Sequence, residues 1–246
     1  MTKISLVRLK TTINTFFVAL LIAVSAGATQ AQEWDFLSWH RVKVGGELTK
    51  KLGLSVEQQL RLANNSSSIE QTFTELGLEY DLPKGFEVSA AYRLSWSPER
   101  DGSYSDGHRY NIDVSYGKDV WKLKAKLRAR FQHRPSAYVF NDRLEPDDSP
   151  MHVRLKLDIS YRDLKDWTPG VEFEVYFRTD NPLDNGIGKL RYRAFLNYDL
   201  PKRQELEMFY MLETDHTGSE PQFASILGVN YSFEWKRPKK KKKDKK

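Results

Sequence analysis

One stretch near the middle of the chain constrains the fold more than any other. Residues 121–134 read WKLKAKLRARFQHR, and up to position 132 apolar residues at odd positions alternate with mostly cationic residues at even positions. Such period-two alternation predicts a β-strand with one apolar and one charged face, because successive side chains of a strand point to opposite sides. A helix would distribute the same cations over all its sides and leave no apolar stripe to bury.

The length of this stretch indicates where the strand lies. At about 3.3 Å per residue it covers roughly 45 Å, whereas strands of soluble proteins usually have about five or six residues. Strands that cross a bilayer need roughly nine to eleven residues of alternating character. The stretch therefore predicts a membrane-spanning β-barrel.

The same alternation recurs along the chain and defines eleven segments in all. Short turns near positions 51, 83, 118, 166 and 202 alternate with longer polar loops near 66, 102, 142, 185 and 218, which is typical of up-and-down outer-membrane barrels. Because single-chain bacterial barrels favour even strand numbers, the aromatic lead-in at residues 33–39 is expected to add a twelfth strand. Ten strands is the alternative. The predicted fold is an all-β, up-and-down antiparallel transmembrane β-barrel.

Both ends of the chain differ from this pattern. Lys3, Arg8 and Lys10 precede an uncharged, mostly apolar run and then small residues, which is typical of a cleaved export signal. Residues 1–31 are therefore predicted to be a signal peptide, residues 32–235 the barrel, and residues 236–246 a disordered lysine-rich tail. The expected location is the outer membrane of a Gram-negative bacterium.

The net charge of +6 is misleading. The tail has nine basic residues and one aspartate, and the signal adds three more cations, so the predicted barrel is mildly acidic. A whole-protein argument for nucleic-acid binding therefore fails. The chain has no cysteine, which excludes disulfides, thiolate nucleophiles and cysteine metal sites.

If the polar face lines a lumen, its charges change sign between neighbouring strands, so that cross-strand pairs attract. The predicted lumen charges are Lys122, Lys124, Lys126, Arg128, Arg130, Arg154, Lys156, Glu172, Glu174, Arg191, Arg193, Glu205 and Glu207. On the apolar face, aromatic residues near strand ends are typical of the girdles at membrane interfaces. The predicted girdle consists of Trp96, Tyr116, Trp121, Phe131, Tyr161, Tyr198 and Trp235.

Alternation alone leaves several functions open. Paired charges favour a closed, structural lumen, whereas an open path beside Lys122 to Arg130 would form a narrow, anion-selective porin-like pore. A soluble periplasmic β-barrel binding protein has the same period with its two faces reversed. The leading hypothesis is a non-enzymatic outer-membrane barrel without a cofactor, whose partners are outer-membrane lipid and the barrel assembly machinery.

Several segments resemble one known family. Glu57-Gln-Gln-Leu-Arg61, Leu76-Gly-Leu-Glu-Tyr80, Leu127-Arg-Ala-Arg-Phe-Gln132 and Pro169-Gly-Val-Glu-Phe-Glu174, with Trp39, Ala91-Tyr-Arg93, His108-Arg109 and Leu190-Arg-Tyr-Arg193, are similar to the bacterial family of domain of unknown function 2490. The resemblance covers nearly the whole mature chain and implies an outer-membrane barrel without an assigned activity. Many such barrels end on an aromatic residue, whereas here Phe233 and Trp235 precede the lysine tail.

Few residues suggest chemistry. Asp215, His216 and Ser219 have the residue types of a hydrolase triad in one outer loop, so a lipid hydrolase or acyltransferase at the rim is the alternative activity. His108, His133 and His152 are interpreted as interface residues without paired-ligand spacing. Asp142, Glu145, Asp147 and Asp148 form an acidic loop, for which calcium or lipopolysaccharide bridging is the alternative to a solvated loop. No GxSxG or phosphate-binding glycine loop occurs.

The lysine tail suggests a further partner. If the C-terminus is periplasmic, the tail is predicted to bind anionic lipid headgroups, with about 1 kcal/mol per lysine near a charged surface. Cell-wall carboxylates are the other candidate partner.

Overall fold

The computed structural model describes residues 34–99, 101–135, 151–179, 186–216 and 222–235. The predicted signal peptide, the acidic loop with Asp142, Glu145, Asp147 and Asp148, Ser219 and the lysine tail lie outside the described residues.

Within the described ranges, eleven strands form one closed barrel, in which each strand pairs with its neighbour in sequence and β1 pairs with β11. The strands are β1 (Trp34–Glu47), β2 (Leu52–Ala63), β3 (Ser68–Asp81), β4 (Phe86–Pro98), β5 (Tyr104–Val120), β6 (Leu123–His133), β7 (Met151–Tyr161), β8 (Trp167–Arg178), β9 (Ile187–Leu200), β10 (Gln204–Asp215) and β11 (Gln222–Glu234). A short 3-10 turn, Pro83–Gly85, connects β3 to β4. Among the described residues, no helix has the length and hydrophobicity that a membrane crossing requires.

The prediction of twelve strands is wrong, and so is the alternative of ten. The aromatic lead-in is the first half of β1, which continues from Trp34 to Glu47 without a break. Because the number of strands is odd, the first and last strands run in the same direction, and β1 pairs with β11 in parallel from Trp34↔Phe223 to Gly45↔Glu234. The other ten pairings are antiparallel.

The connections define two ends of the barrel. At the turn end, the connections are residues 48–51, 82–85, 121–122, 162–166 and 201–203; at the loop end they are residues 64–67, 99–103, 134–150, 179–186 and 216–221. The connection at residues 64–67 is as short as several of the turns. Asp35 accepts backbone hydrogen bonds from Asn64 (3.1 Å) and Asn65 (2.9 Å) of this connection. With eleven strands, Trp34 lies at the loop end and Glu234 at the turn end.

The alternating stretch at residues 121–134 begins two residues before β6, the strand that contains most of it. The predicted turn at residues 117–119 belongs to β5, and the chain instead reverses at Trp121 and Lys122. Trp121 has a positive φ of 55°. The alternation continues through this hairpin turn because Trp121 and Lys122 happen to keep the apolar and cationic order of the strand.

The two faces of the strands differ sharply in exposure. On the outward face, Leu127 is 53% exposed and Leu155 43%, whereas the inward carboxylates Asp113 and Glu174 are each 5% exposed. In a soluble barrel the apolar face would be the buried one. Here the barrel places its apolar side chains outside and its charged side chains inside.

On one part of the inner surface of the barrel, phenylalanine rings lie over glycines of the neighbouring strands. Phe209 and Phe195 lie opposite each other on β10 and β9, next to Gly228 on β11 and Gly170 on β8. The Phe209 ring occupies the space of a Gly228 side chain, and the Phe195 ring that of Gly170. These aromatic rings are part of a small apolar cluster inside the barrel with Leu37, Trp39, Met211 and Ile226.

Candidate functional site: the charge-paired lumen

Inside the barrel, one carboxylate holds three arginines. Glu174 accepts hydrogen bonds from Arg154 through both carboxylate oxygens (2.9 Å each) and from Arg128 (2.6 Å). The Arg191 guanidinium lies 3.8 Å from the same carboxylate. Each of these buried charges would be unfavourable without a partner, so the opposite charges of the cluster stabilise one another. One side chain of β8 thereby joins strands β6, β7 and β9.

A second group of charges lies on β3 to β6. Arg130 donates two hydrogen bonds to Asp113, from Nε at 2.7 Å and from Nη2 at 2.6 Å, which is the bidentate geometry of a strong ion pair. On the neighbouring strands, Arg93 Nε and Arg109 Nη2 both donate to Oε2 of Glu75, at 2.6 and 3.3 Å.

The opposite wall is paired in the same way. Arg193 bridges Glu172 (2.9 Å) and Glu207 (2.5 Å), and Lys156 donates to Glu172 at 3.0 Å. Arg41 of β1 lies 3.7 Å from Glu207.

Towards the loop end, one carboxylate of β10 holds two cations of β9. Glu213 accepts hydrogen bonds from Arg191 (2.5 Å) and Lys189 (2.6 Å). We call all of these inward ion pairs, together with the Glu174 cluster, the lumen network.

Several ion pairs of the lumen network join strands that are not direct neighbours in the sheet. Arg128 on β6 reaches Glu174 on β8 across β7, and Lys126 on β6 reaches Glu87 on β4 across β5 at 3.0 Å. Such contacts form because the curvature of a narrow barrel brings inward side chains of next-nearest strands together. The interior is therefore a packed set of charges.

Most of the predicted lumen charges lie in this network. Lys126, Arg128, Arg130, Arg154, Lys156, Glu172, Glu174, Arg191, Arg193 and Glu207 each form an ion pair inside the barrel. Lys124 and Glu205 line a cavity at the turn end.

Lys122 does not face the lumen. It lies in the exposed turn between β5 and β6 and binds Asp163 of the next turn. The hydrogen bond from Lys122 to Asp163 raises the pKa of Lys122. The sequence pattern placed Lys122 in the strand because its parity matches that of the cations that follow.

Other lumen charges were not singled out from the sequence. They include Arg41, Lys43, Glu57, Glu75, Glu79, Glu87, Arg93, Arg109, Asp113, Lys189 and Glu213, and all of these lie in ion pairs. Each lies on the polar face of a strand in which apolar and polar residues alternate. Selecting the charged residues on the polar face of every strand would therefore have found them.

Aromatic rings also lie inside the barrel, beneath arginines. The guanidinium of Arg93 lies 3.3 Å from the ring centre of Phe73, and that of Arg61 lies 3.8 Å from the ring centre of Trp39. Arg193 lies over Phe209 at 4.0 Å. Cation–π contacts of this kind stabilise cations that lack a full set of carboxylate partners.

Cavities remain between these side chains in the described part of the barrel. The central cavity has a volume of about 320 Å³ and is lined by residues of all eleven strands. One cavity of about 470 Å³ lies at the loop end, and two cavities of about 410 and 450 Å³ lie at the turn end. The central and loop-end cavities share four lining arginines, Arg93, Arg130, Arg154 and Arg191.

The predicted girdle residues lie near both ends of the barrel. Trp96 and Phe131 are in the loop-end halves of β4 and β6, whereas Tyr116, Trp121, Tyr161, Tyr198 and Trp235 are near the turn end. Tyr116 packs on Phe86 (4.8 Å between ring centres) and Tyr198 on Trp167 (4.4 Å). The girdle itself stays a prediction.

The described members of the candidate triad bind other residues. Asp215 lies 3.0 Å from Lys189, and the His216 ring is hydrogen bonded to Thr214 at 3.1 Å. Within the described residues, no three His, Cys, Asp or Glu side chains are arranged to hold a metal ion.

The three histidines considered as interface residues have different surroundings. His108 is hydrogen bonded to the Tyr92 hydroxyl at 2.7 Å, and His133 is the last residue of β6. His152 lines the loop-end cavity inside the barrel, which corrects its expected place at the interface. It stands on the inward side of β7 together with Arg154.

Fold and site together define a closed β-barrel with an apolar exterior and a charge-paired interior. Among solved structures, the NanC porin is 13% identical with a TM-score of 0.46 over 72% of this chain and 86% of its own. The KdgM porin in complex with disordered oligogalacturonate is 16% identical with a TM-score of 0.45 over 81% and 99%. The beta domain of the Bordetella autotransporter BrkA is 12% identical with a TM-score of 0.42 over 73% and 82%.

Residues 36–224 match the family described as Protein of unknown function (DUF2490). Because the match covers most of the chain, this protein belongs to that family, and the resemblance indicated by its strand motifs is confirmed. None of the curated proteins with which the sequence was compared matches it.

Proposed function

We propose that this protein is a non-enzymatic β-barrel of the outer membrane whose lumen network keeps the passage closed to solutes. The observation that carries the proposal is the position of Arg93, Arg130, Arg154 and Arg191, which line both the central and the loop-end cavity. These four arginines therefore form the boundary between the two cavities.

The exterior supports a place in a membrane. The strands have 11 to 17 residues, and bilayer-spanning strands need roughly nine to eleven. Their outward side chains are apolar and exposed, as at Val114, Leu127, Leu155 and Val171. A continuous apolar surface of this kind requires lipid around it, because in water it would expose far more apolar area than a soluble protein tolerates.

Each boundary arginine is held in place by a carboxylate. Arg93 binds Glu75, Arg130 binds Asp113, and both Arg154 and Arg191 lie beside Glu174. A solute that passes from the loop-end cavity to the central cavity must displace these side chains and break their ion pairs. Separating buried ion pairs leaves uncompensated charges in the interior, which is unfavourable, so the closed state is favoured.

Single-channel recording in planar bilayers tests the closed lumen. We expect the full-length protein to show no stable conductance steps, and the Arg154→Ala/Glu174→Ala variant to show them, because it removes both partners of a central pair. The matched control is Lys122→Ala/Asp163→Ala, which removes an ion pair of the turns outside the lumen. Stable steps of equal size in all three proteins would identify an open pore and reject the proposal.

Fractionation and gel mobility test the membrane location. We expect the protein in the outer-membrane fraction, with different mobilities for the unheated and boiled samples in SDS. Closed barrels keep their hydrogen-bonded ring in cold detergent, because no strand edge is available for unzipping. A periplasmic, soluble protein without a heat-dependent shift would contradict this location.

A further inference from the structure

The loop-end cavity has an excess of positive charge. Among the described residues, eight Lys or Arg side chains line it, whereas its carboxylates are Glu70 and Asp215. The turn-end cavity beside β6 to β10 is balanced, since Lys124, Lys126, Arg162 and Lys165 face Asp158, Asp199, Glu205 and Glu207. The excess of cations over carboxylates is therefore larger in the loop-end cavity, with eight against two, than in the central cavity, with ten against seven.

Among the described residues, Arg61, Arg93 and Arg109 have one carboxylate ion-pair partner between them, Glu75. A single oxygen of Glu75 accepts from both Arg93 and Arg109. Within the described part of the chain, no carboxylate lies within 4 Å of Arg61, whose guanidinium packs over Trp39 (3.8 Å) and lies 5.2 Å from the ring centre of Phe73. The three cations Arg61, Arg93 and Arg109 also repel one another.

Each of these three arginines has an unused buried donor. Arg61 Nε, Arg93 Nη1 and Arg109 Nε are buried and have no hydrogen-bond partner among the described residues. Arg93 as a whole is only 6% exposed. Buried guanidinium groups with unpaired donors are unfavourable, and a bound anion would supply both the missing charge and the missing acceptors.

We propose that the loop-end cavity is a binding site for an oxyanion group, a carboxylate or a phosphate, held by Arg61, Arg93 and Arg109. Guanidinium groups match these oxyanions because their planar donors bind two oxygens at once. A volume of about 470 Å³ fits one small solute. The site lies inside the barrel, away from its lipid-facing exterior, so we take its ligand to be a dissolved anion rather than a lipid headgroup. This site goes beyond the proposed function, since the cavity lies on the loop side of the closed boundary.

Isothermal titration with inorganic phosphate tests the site. The full-length protein is folded in a lipid-free, uncharged detergent, so that lipid phosphate is absent, and ionic strength is held constant with chloride. We expect saturable binding of one phosphate per barrel. The variant Arg61→Gln/Arg109→Gln should weaken it about tenfold or more, as expected for the loss of hydrogen bonds to charged groups.

Two further variants separate the site from general charge effects. Lys43→Gln removes a lumen cation that does not line the loop-end cavity, and its phosphate affinity should equal that of the unmodified protein. Arg61→Lys keeps the charge but loses the planar donors, and should bind with intermediate affinity. Folding of each variant is verified by the heat-dependent gel shift.

Absence of saturable phosphate heat in the unmodified protein would overturn the proposal, as would equal loss of affinity in Lys43→Gln. Neither outcome depends on conductance, so the anion site and the closed lumen are tested separately.

Discussion

Arg128 on β6 donates a 2.6 Å hydrogen bond to Glu174 on β8, across the intervening strand β7. Because Glu174 also binds Arg154 and Arg191, its neutralisation would leave three buried guanidinium groups short of one negative charge. We expect Glu174→Gln to lower the free energy of unfolding by about 3–5 kcal/mol, measured by urea titration of the barrel in detergent.

The control for this prediction is Glu87→Gln. Glu87 pairs with Lys126 at 3.0 Å, but both side chains are considerably more exposed. The same substitution there should cost about 0–1 kcal/mol. Equal losses for the two variants would mean that the Glu174 cluster has no special role in stability.

The contact between Gly228 and Phe209 gives a second prediction. A methyl group at Gly228 would meet the ring of Phe209, so we expect Gly228→Ala to destabilise the barrel by about 1–3 kcal/mol, the usual range for overpacking. Adding Phe209→Leu should recover part of this loss, because the smaller side chain vacates the space. The same urea titration measures both variants.

Gly186→Ala is the matched glycine control, since a methyl group there would have no heavy atom of the described residues within 4 Å. We expect it to leave the unfolding midpoint unchanged. If Gly228→Ala behaved like Gly186→Ala, the Phe209 ring would not cover the wall as the structure shows.

The parallel pairing of β1 with β11 gives a third prediction. Lys43 and Ser232 are partners in the register of this pairing and face the interior. Since the chain has no cysteine, the Lys43→Cys/Ser232→Cys variant should form one intramolecular disulfide on oxidation, visible as a change in gel mobility that reductant reverses.

The control pairs Lys43→Cys with Ile226→Cys, six residues away along β11 and beyond the reach of a disulfide. An antiparallel closure with ten or twelve strands would change these partners. Cross-linking of the control pair instead of the register pair would therefore contradict the eleven-strand closure.

The turn between β5 and β6 gives a pH-dependent prediction. Asp163 raises the pKa of Lys122 through their hydrogen bond, so NMR titration of the Lys122 ammonium group should give a pKa above that of a free lysine. Because the folded-state pKa is the higher one, the stabilisation from this pair is complete below the unfolded pKa and is lost as pH rises through the folded pKa.

Asp163→Asn removes the acceptor charge and should return the pKa of Lys122 towards the ordinary lysine value. An unchanged pKa in this variant would mean that Asp163 is not the cause. The turn lies outside the strands, so the variant should leave the lumen network intact.

Much of the fold could be predicted from local sequence. Alternation located all eleven strands and separated an apolar from a polar face on each, because the side-chain period of a strand is a local property. Which of the two faces points outward did not follow from the period itself. Alternation could not find the hairpin at Trp121 and Lys122, whose residues keep the parity of the strand. It also could not fix the strand number, since the closure between Trp34 and Phe223 joins residues at opposite ends of the sequence.

The lumen network could be predicted only in part. The opposite signs of Lys156 and Glu172 on neighbouring strands indicated pairing, and the two side chains lie 3.0 Å apart. The contact between Arg128 and Glu174 depends on barrel curvature, which no pairwise strand pattern contains. The contact of Arg61 with Trp39, by contrast, joins register partners of β1 and β2, so it needed only the correct register of that hairpin.

The most direct test of the account is the environment of the outward side chains in lipid vesicles. Nitroxide labels on single cysteines at positions 127 and 155 report collision with oxygen, which concentrates in lipid, and with a water-soluble nickel chelate. Position 89, which lines the central cavity, is the inward comparison. We expect labels at 127 and 155 to be accessible to oxygen and protected from nickel, and the label at 89 to be less accessible to oxygen. Labels at 127 and 155 that collide with nickel and not with oxygen would place the apolar face in water and contradict a membrane barrel.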